Sequence, residues 1–437
     1  MKKIFLAAAF ASTALFTSAQ IGNVLKHAKD KAASTANNKA NSTVDNTVDK
    51  TVNGTDTNDP NSTSTNQNTP ANNTTQSNAN NTADTAGQHS QANSAPVSIK
   101  AYSKYDFVPG EKIVVLEDFM QDAIGDFPDK WNTNSSGEIV TIDKNQGHWL
   151  MMPRTGVFMP EFIDSLPDNF TFEYDLFCIH GNKLGGWGTF QTAICELSNR
   201  EKIQEWQFAD NNYYFSVYGG NASDATISYA RKKEGNSEGG VQITTHQLAD
   251  KSKPCHVSLW RQKERLRVYF NEEKVLDIPK ALTPGANYNS IIYVQPDADE
   301  ENYYAISNLR LAVGAPDTRN KMLTENKWVT HGILFDVNSA NIKPESYGTL
   351  KEMANVLKEN PDLKVKIIGH TDADGSDAAN LDLSKRRAAA VKDELTTDFG
   401  IDASRMQADG KGESEPIDKS DTPAGKANNR RVEFIKL

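Results

Sequence analysis

Between about Pro96 and Pro316 the chain repeats in twos, and that period limits its folds more than any other feature. In "NFTFEYDLFC", residues 169–178, Phe170, Phe172, Tyr174, Leu176 and Cys178 fall on one side, and Thr171, Glu173 and Asp175 on the other. A two-residue period makes an apolar face only on an extended strand. The segments "WQFADNNYYFSVYGG", "SIIYVQP" and "YYAISNLRLAV" have the same texture. In "LRVYFNEEKVLDI" two alternating runs flank Asn271 to Lys274, which predicts a hairpin with a short polar loop. Many such strands without intervening helices imply an all-β antiparallel sandwich over 96–316.

The flanking regions read differently. From about Thr324 to Leu437 helical and strand patterns alternate. Pro344 and Glu345 open a helix with the apolar stripe Leu350, Met353, Ala354 and Leu357. "LKVKIIGH" reads as a strand, residues 380–395 as a second helix, "SRMQADGKG" as a short strand and turn, and "NRRVEFIKL" as a closing strand. Two helices on a small mixed sheet make an α+β domain at 324–437. On the other side, residues 20–95 are dominated by Asn, Thr, Ser, Ala and Asp with almost no aromatics. That composition cannot bury enough apolar surface to offset the entropy of ordering, so a disordered linker is expected there. Val44, Val48 and Val52 at four-residue spacing offer at most a short helix, against their β-branched preference.

Of the 437 residues, 57 are acidic and 47 basic, a formal net charge of −10. The balance argues against nucleic acid as a partner. Lys2, Lys3, an apolar run from Ile4 to about Phe16 and small residues up to Ala19 read as a removed signal peptide at 1–19. The run falls short of the roughly 20 residues that cross a bilayer, and no later stretch reaches that length, so no transmembrane helix is expected. No cysteine lies near the cleavage position, so export without a lipid anchor is expected. Cys178, Cys195 and Cys255 are odd in number and lack CxxC spacing, which is no metal or redox signature. One disulfide with a spare thiol and three buried thiols both stay open. HExxH, GxSxG and P-loop patterns are missing, and no cofactor or metal is expected.

The chemistry concentrates in "GHTDADGSDAANLDLSKRRAAAV", residues 369–391. Gly369, His370, Thr371 and Asp372 end a strand, and Gly375 breaks the chain before the second helix. Leu381, Ser384 or Lys385, Ala388, Val391 and Leu395 fall at helical steps and should face the sheet. Asn380, Leu383 or Ser384, and Arg387 then share a neighbouring face close to the Asp372 loop. Asp372 and Arg387 could form an internal salt bridge or remain two solvated charges. They could instead receive a small zwitterion, the carboxylate taking an ammonium and the guanidinium fork a carboxylate.

At these residues the sequence resembles the OmpA-like C-terminal peptidoglycan-binding family, which includes the peptidoglycan-associated lipoproteins and flagellar stator subunits. The matching elements, in family order, are "LFDVNSANIKPES" (334–346), "GHTDADGS" (369–376), "NLDLSKRRAAAV" (380–391), "GKGESEPI" (410–417) and "NNRRVEF" (428–434). The resemblance implies that Asp372 and Arg387 grip the two ends of the meso-diaminopimelate side chain in the cell-wall stem peptide. Asn380 and Leu383 would shape the pocket beside Thr371, and the backbone at Phe335 and Asp336 would add hydrogen bonds. Lysine at the same stem position would leave Arg387 without a carboxylate. Arg430 and Arg431 are expected to pair structurally with carboxylates. The stretch from "VVLEDFM" through "GDFPDKW" to "FEYDL" resembles concanavalin-like or laminin-G-like jelly-roll sandwiches of exported bacterial proteins.

The expectation is a non-enzymatic protein of the periplasm, associated with the cell wall and outer membrane, that binds peptidoglycan noncovalently. Its sandwich would face a glycan or an outer-membrane protein. Two alternatives remain. The middle region could be an OmpA-type outer-membrane β-barrel, though uneven strands and polar stretches such as "ARKKEGNSEGG" fit that poorly. Or the sandwich could bind or hydrolyse glycosides, with Trp187, Trp206 or Trp260 as a stacking face. For hydrolysis Glu173 and Asp175 supply only a start, because Phe177 and Ile179 follow on that face.

Overall fold

The computed structural model describes residues 105–437 apart from 144, 181–187, 220–224, 234, 241, 251, 299–301 and 315–317. The expected signal peptide, the linker with its valine-spaced segment, and Trp187 lie outside the described residues.

The alternating segments become strands. In chain order they are β1 (Lys112–Glu117), β2 (Trp131–Thr133), β3 (Glu138–Ile142), β4 (Asn145–Met152), β5 (Gly156–Pro160), β6 (Asn169–His180), β7 (Thr189–Cys195) and β8 (Asn212–Gly219). Then follow β9 (Ala225–Lys233), β10 (Asn236–Gly239), β11 (Ile243–Thr245), β12 (Cys255–Gln262), β13 (Arg265–Phe270), β14 (Glu273–Ile278), β15 (Ser290–Gln295) and β16 (Asn302–Val313). One sheet runs β14-β13-β12-β6-β16-β4-β3 with β1 also on β16, and the other runs β10-β9-β8-β7-β15-β5-β2 with β11 on β9. Phe172, Tyr174 and Leu176 of the first sheet meet Phe190, Phe215 and Tyr293 of the second in one buried core. Both sheets are open and their common interior is apolar, so the middle region is a sandwich and encloses no barrel lumen. The hairpin falls where expected, turning at Asn271 with φ 47°, a left-handed position that asparagine tolerates. Cys178, Cys195 and Cys255 are buried and form no disulfide among the described residues.

The reading of β6 needs one correction. The side opposite the core also leaves solvent, with Thr171 and Glu173 only 0% and 2% exposed. Register explains how charge survives there: His256 stands opposite Asp175 on β12, and Arg310 opposite Glu173 on β16. Asn308, left-handed at φ 54° where β16 shifts register, donates Nδ2–H to Asp175 Oδ2 at 2.7 Å.

Beyond the sandwich, β17 (Lys327–Thr330), α1 (Tyr347–Glu359), β18 (Val365–His370), α2 (Asp377–Thr397), β19 (Met406–Gly412), α3 (Pro423–Asn429) and β20 (Val432–Lys436) follow. Their sheet has the order β17-β20-β18-β19 and is mixed, since β18 runs parallel to β19 and antiparallel to β20. The α1 stripe Leu350, Met353, Ala354 and Leu357 is buried as expected, and joins Ala388, Val391 and Leu395 of α2 over the sheet. Leu381 departs from its expected stripe and stands 40% exposed, because the buried face of α2 starts on its neighbour Asn380 and runs through Ser384, Ala388, Val391 and Leu395. Strand β17 and helix α3 were not legible in the sequence pattern.

The described residues belong to one compact unit, and specific contacts join the sandwich to this layer. The Asn428 side chain imitates a strand neighbour, accepting from Ile113 N at 3.0 Å and donating to Ile113 O at 2.9 Å. Arg310 donates to the His331 carbonyl at 2.9 Å. Tyr347, at the start of α1, packs against Tyr105, Phe107, Trp260 and Tyr269.

Candidate functional site

The site forms where β18 and β19 end beneath the first turns of α2. Gly369 permits the approach, since a Cβ there would lie 2.3 Å from Ser384 O. Gly375, at φ +108°, turns the chain into the helix through a conformation that other residues adopt at a cost. Ser376 caps α2, its hydroxyl accepting from Ala379 N at 3.4 Å.

One turn on, buried Asn380 ties the loop down. Its Nδ2 reaches Asp372 O at 3.3 Å, Asp374 O at 3.1 Å and the Glu413 carboxylate. Two turns further along the same face, Arg387 grips the segment after β17. Nε donates to Ser339 O at 2.9 Å, Nη2 approaches Asp336 O at 3.4 Å, and the guanidinium lies 4.8 Å from the Phe335 ring centroid. Burial, then the Arg430 and Arg386 charges, depress the Arg387 pKa, while Asp372 supports it; an arginine still remains charged at neutral pH.

Asp372 points elsewhere than to Arg387. Its Oδ2 receives Arg430 Nη1 at 2.6 Å. Thr371 is buried, its amide donating to Gly412 O at 3.0 Å and its hydroxyl oxygen without a hydrogen-bond partner among the described residues. Leu383 is half-buried on α2. The structure therefore places Asp372, Asn380, Arg387, Phe335 and Asp336 along the first half of α2, and adds Ser339 and Arg430 to them. Ser339 contributes a backbone carbonyl, so its residue type carried no signal. Arg431 behaves as expected, pairing with Glu433 at 2.8 Å. Burial raises the Glu433 pKa, but His370, Lys327 and Arg431 together hold its carboxyl well below the usual range.

The sandwich carries a second charged group. His256 bonds Asp175 at 2.7 Å through Nδ1 and Glu173 at 3.3 Å through Nε2, and Arg310 lies 3.4 Å from Glu173. Burial lowers the His256 pKa, but its two carboxylates win and raise it to about 10. Glu173 is held down by Arg310 and His256 against a burial penalty. The two carboxylates converge on one imidazole and do not face each other across a cleft. Trp206 and Trp260 are buried, Trp260 beneath Arg267 at 4.7 Å, so neither offers a stacking face. Among the described residues no cluster of three or more His, Cys, Asp or Glu side chains could hold a metal ion, and no helix is long and apolar enough to cross a membrane.

The pattern of the OmpA family matches residues 334–430, the span that holds every residue of the α2 site. Residues 334–430 are an OmpA-family domain. Outer membrane porin F of Pseudomonas aeruginosa is 42% identical over 101 residues, covering 23% of this chain and 29% of that protein. The peptidoglycan-binding protein ArfA of Mycobacterium bovis is 38% identical over 108 residues, covering 24% of this chain and 33% of that protein. The chain thus spans about a third of the length of these relatives. The sandwich resembles the carbohydrate-binding module CBM66 of Bacillus subtilis at 15% identity and a TM-score of 0.28, covering 42% of this chain and 96% of that one. So distant a likeness bears on neither ligand nor activity.

Proposed function

We propose that this chain is a non-enzymatic anchor of the cell envelope. Its OmpA-family domain, within 324–437, holds peptidoglycan noncovalently through the diaminopimelate of the stem peptide, and so ties the sandwich, within 96–316, to the wall. The observation that carries the reading is the posture of Arg387. Ser339 O and the Phe335 ring fix one side of its guanidinium, while Nη1 makes no hydrogen bond among the described residues. A planar fork held flat with donors to spare suits a ligand carboxylate. Asp372, across the end of α2, supplies the acceptor for an ammonium, and Asn380 keeps its loop in place. Diaminopimelate presents both groups on one side chain. The printed description of the Mycobacterium bovis relative, peptidoglycan-binding, supports the same assignment, and relatives described as outer-membrane proteins support an exported location at the wall and outer membrane.

The test is co-sedimentation of the full chain with purified sacculi of diaminopimelate or lysine type. Wild type should pellet with the first alone, and Asp372→Ala and Arg387→Ala should remain in the supernatant. Equal pelleting with both walls, or binding that survives both substitutions, would overturn the proposal.

A further inference from the structure

We infer that Arg430 sets the selectivity of this site: by holding the Asp372 carboxylate in the free protein, it makes a bare ammonium a poor ligand and a zwitterion a good one. The inference rests on the reading of the α2 site as a diaminopimelate receptor. Asp372 is mostly covered, its side chain 12% exposed, and Arg430, at 42%, reaches over it from solvent to 2.6 Å. Any ligand ammonium must therefore displace a guanidinium that already neutralises the acceptor. An amine alone exchanges one cation for another and strands Arg430 beside Arg387, whose charge it opposes. The exchange gains little.

A ligand that also carries a carboxylate changes the balance. The displaced Arg430 and the fixed Arg387 then share an anion, and the three cations of the filled site face two anions, where a bare amine would leave them with Asp372 alone. The neighbouring charges do not cancel this effect, because they are engaged locally. Lys426 binds Asp374 at 2.9 Å and Asp421 at 3.4 Å, Arg386 binds Asp382 at 2.8 Å, and Glu413 accepts from Asn380. Arg387 alone would reward the carboxylate; Arg430 adds a penalty on ligands that lack it.

The experiment is calorimetric titration of the full chain with two stem peptides that differ only in diaminopimelate or lysine at one position. Wild type, Arg430→Ala, Arg430→Lys and Asp372→Ala are compared. Arg430→Ala should bind the lysine peptide about ten-fold more tightly than wild type and the diaminopimelate peptide within about three-fold of it, so that the ratio collapses. Arg430→Lys should restore most of the ratio, which a merely structural role would not require. An unchanged ratio in Arg430→Ala overturns the inference while leaving the anchor reading intact. Wild type that binds neither peptide, or Asp372→Ala that binds like wild type, overturns the anchor reading and this inference with it.

Discussion

Glu173 meets Arg310 in the sandwich at 3.4 Å with side chains 3% and 8% exposed, and Asp372 meets Arg430 in the OmpA-family domain at 2.6 Å with side chains 12% and 42% exposed. The chemistry is the same and the surroundings differ. Around Glu173 the register supplies a second cation, His256, and the junction with the C-terminal layer shuts out water. Around Asp372 one partner stays wet, and the nearby Arg387 guanidinium makes no ion pair among the described residues. A sealed carboxylate with two cations is finished as a structure, whereas an open one leaves chemistry for a ligand to complete. Burial, more than residue type, separates the fastener from the proposed receptor.

The largest effect should come from opening the sealed group. Glu173→Ala leaves His256 and Arg310 as buried cations without their shared anion, and should cost about 3–5 kcal/mol in urea unfolding. Asp372→Ala should lose wall binding while shifting stability by less than about 1 kcal/mol. If Asp372→Ala proves as destabilising as Glu173→Ala, the distinction between the two pairs fails.

Acid should test the junction next. Burial and the Arg310 charge depress the His331 pKa from 6.5 to about 4, so as pH falls the unfolded chain takes up the proton first. Stability owed to this residue is then complete above pH ~6.5, declines between ~6.5 and ~4, and is constant below, a loss of about 3 kcal/mol. His331→Gln should flatten that part of the stability profile. His256 has the opposite sign: raised to about 10, it contributes fully below pH ~6.5, and its contribution fades as pH climbs toward 10.

A smaller effect should separate the junction from the site. A Cβ on Gly348 would lie 2.0 Å from Phe107 O, and Gly348→Ala should cost about 2 kcal/mol through the backbone shift it forces. Wall binding by the folded variant should be unchanged. The smallest effect distinguishes two adjacent arginines: Arg386, exposed in an i,i+4 pair with Asp382, should cost only about 0.3–0.5 kcal/mol on change to alanine and leave sacculus binding intact.

These contrasts also mark what was legible in the sequence. Alternation in Phe170 to Cys178 identified the sandwich, and the three- and four-residue steps of Leu350 to Leu357 identified α1, because each period has one geometric meaning. Alternation reports only that a strand has two faces, so the burial of Glu173 waited on Arg310 and His256, far away in sequence. Leu381 misled for a related reason: its spacing is helical, but the buried face of α2 starts one residue earlier, on Asn380. At the site the side chains, Arg430 among them, stood in the quoted motifs, while the pairing of Asp372 with Arg430 did not show. Arg430 lies 58 residues on, and only the pairing of β18 with β20 brings it across.

The most direct measurement compares the affinity of the full chain for a diaminopimelate stem peptide and for the same peptide with the diaminopimelate side-chain carboxylate converted to an amide. The amide keeps the ammonium for Asp372 and removes the anion for Arg387. Amidation should weaken binding by at least about ten-fold, with Arg387→Ala binding the two peptides equally weakly. Equal affinity of wild type for both peptides would contradict the claim that this pair reads a zwitterion.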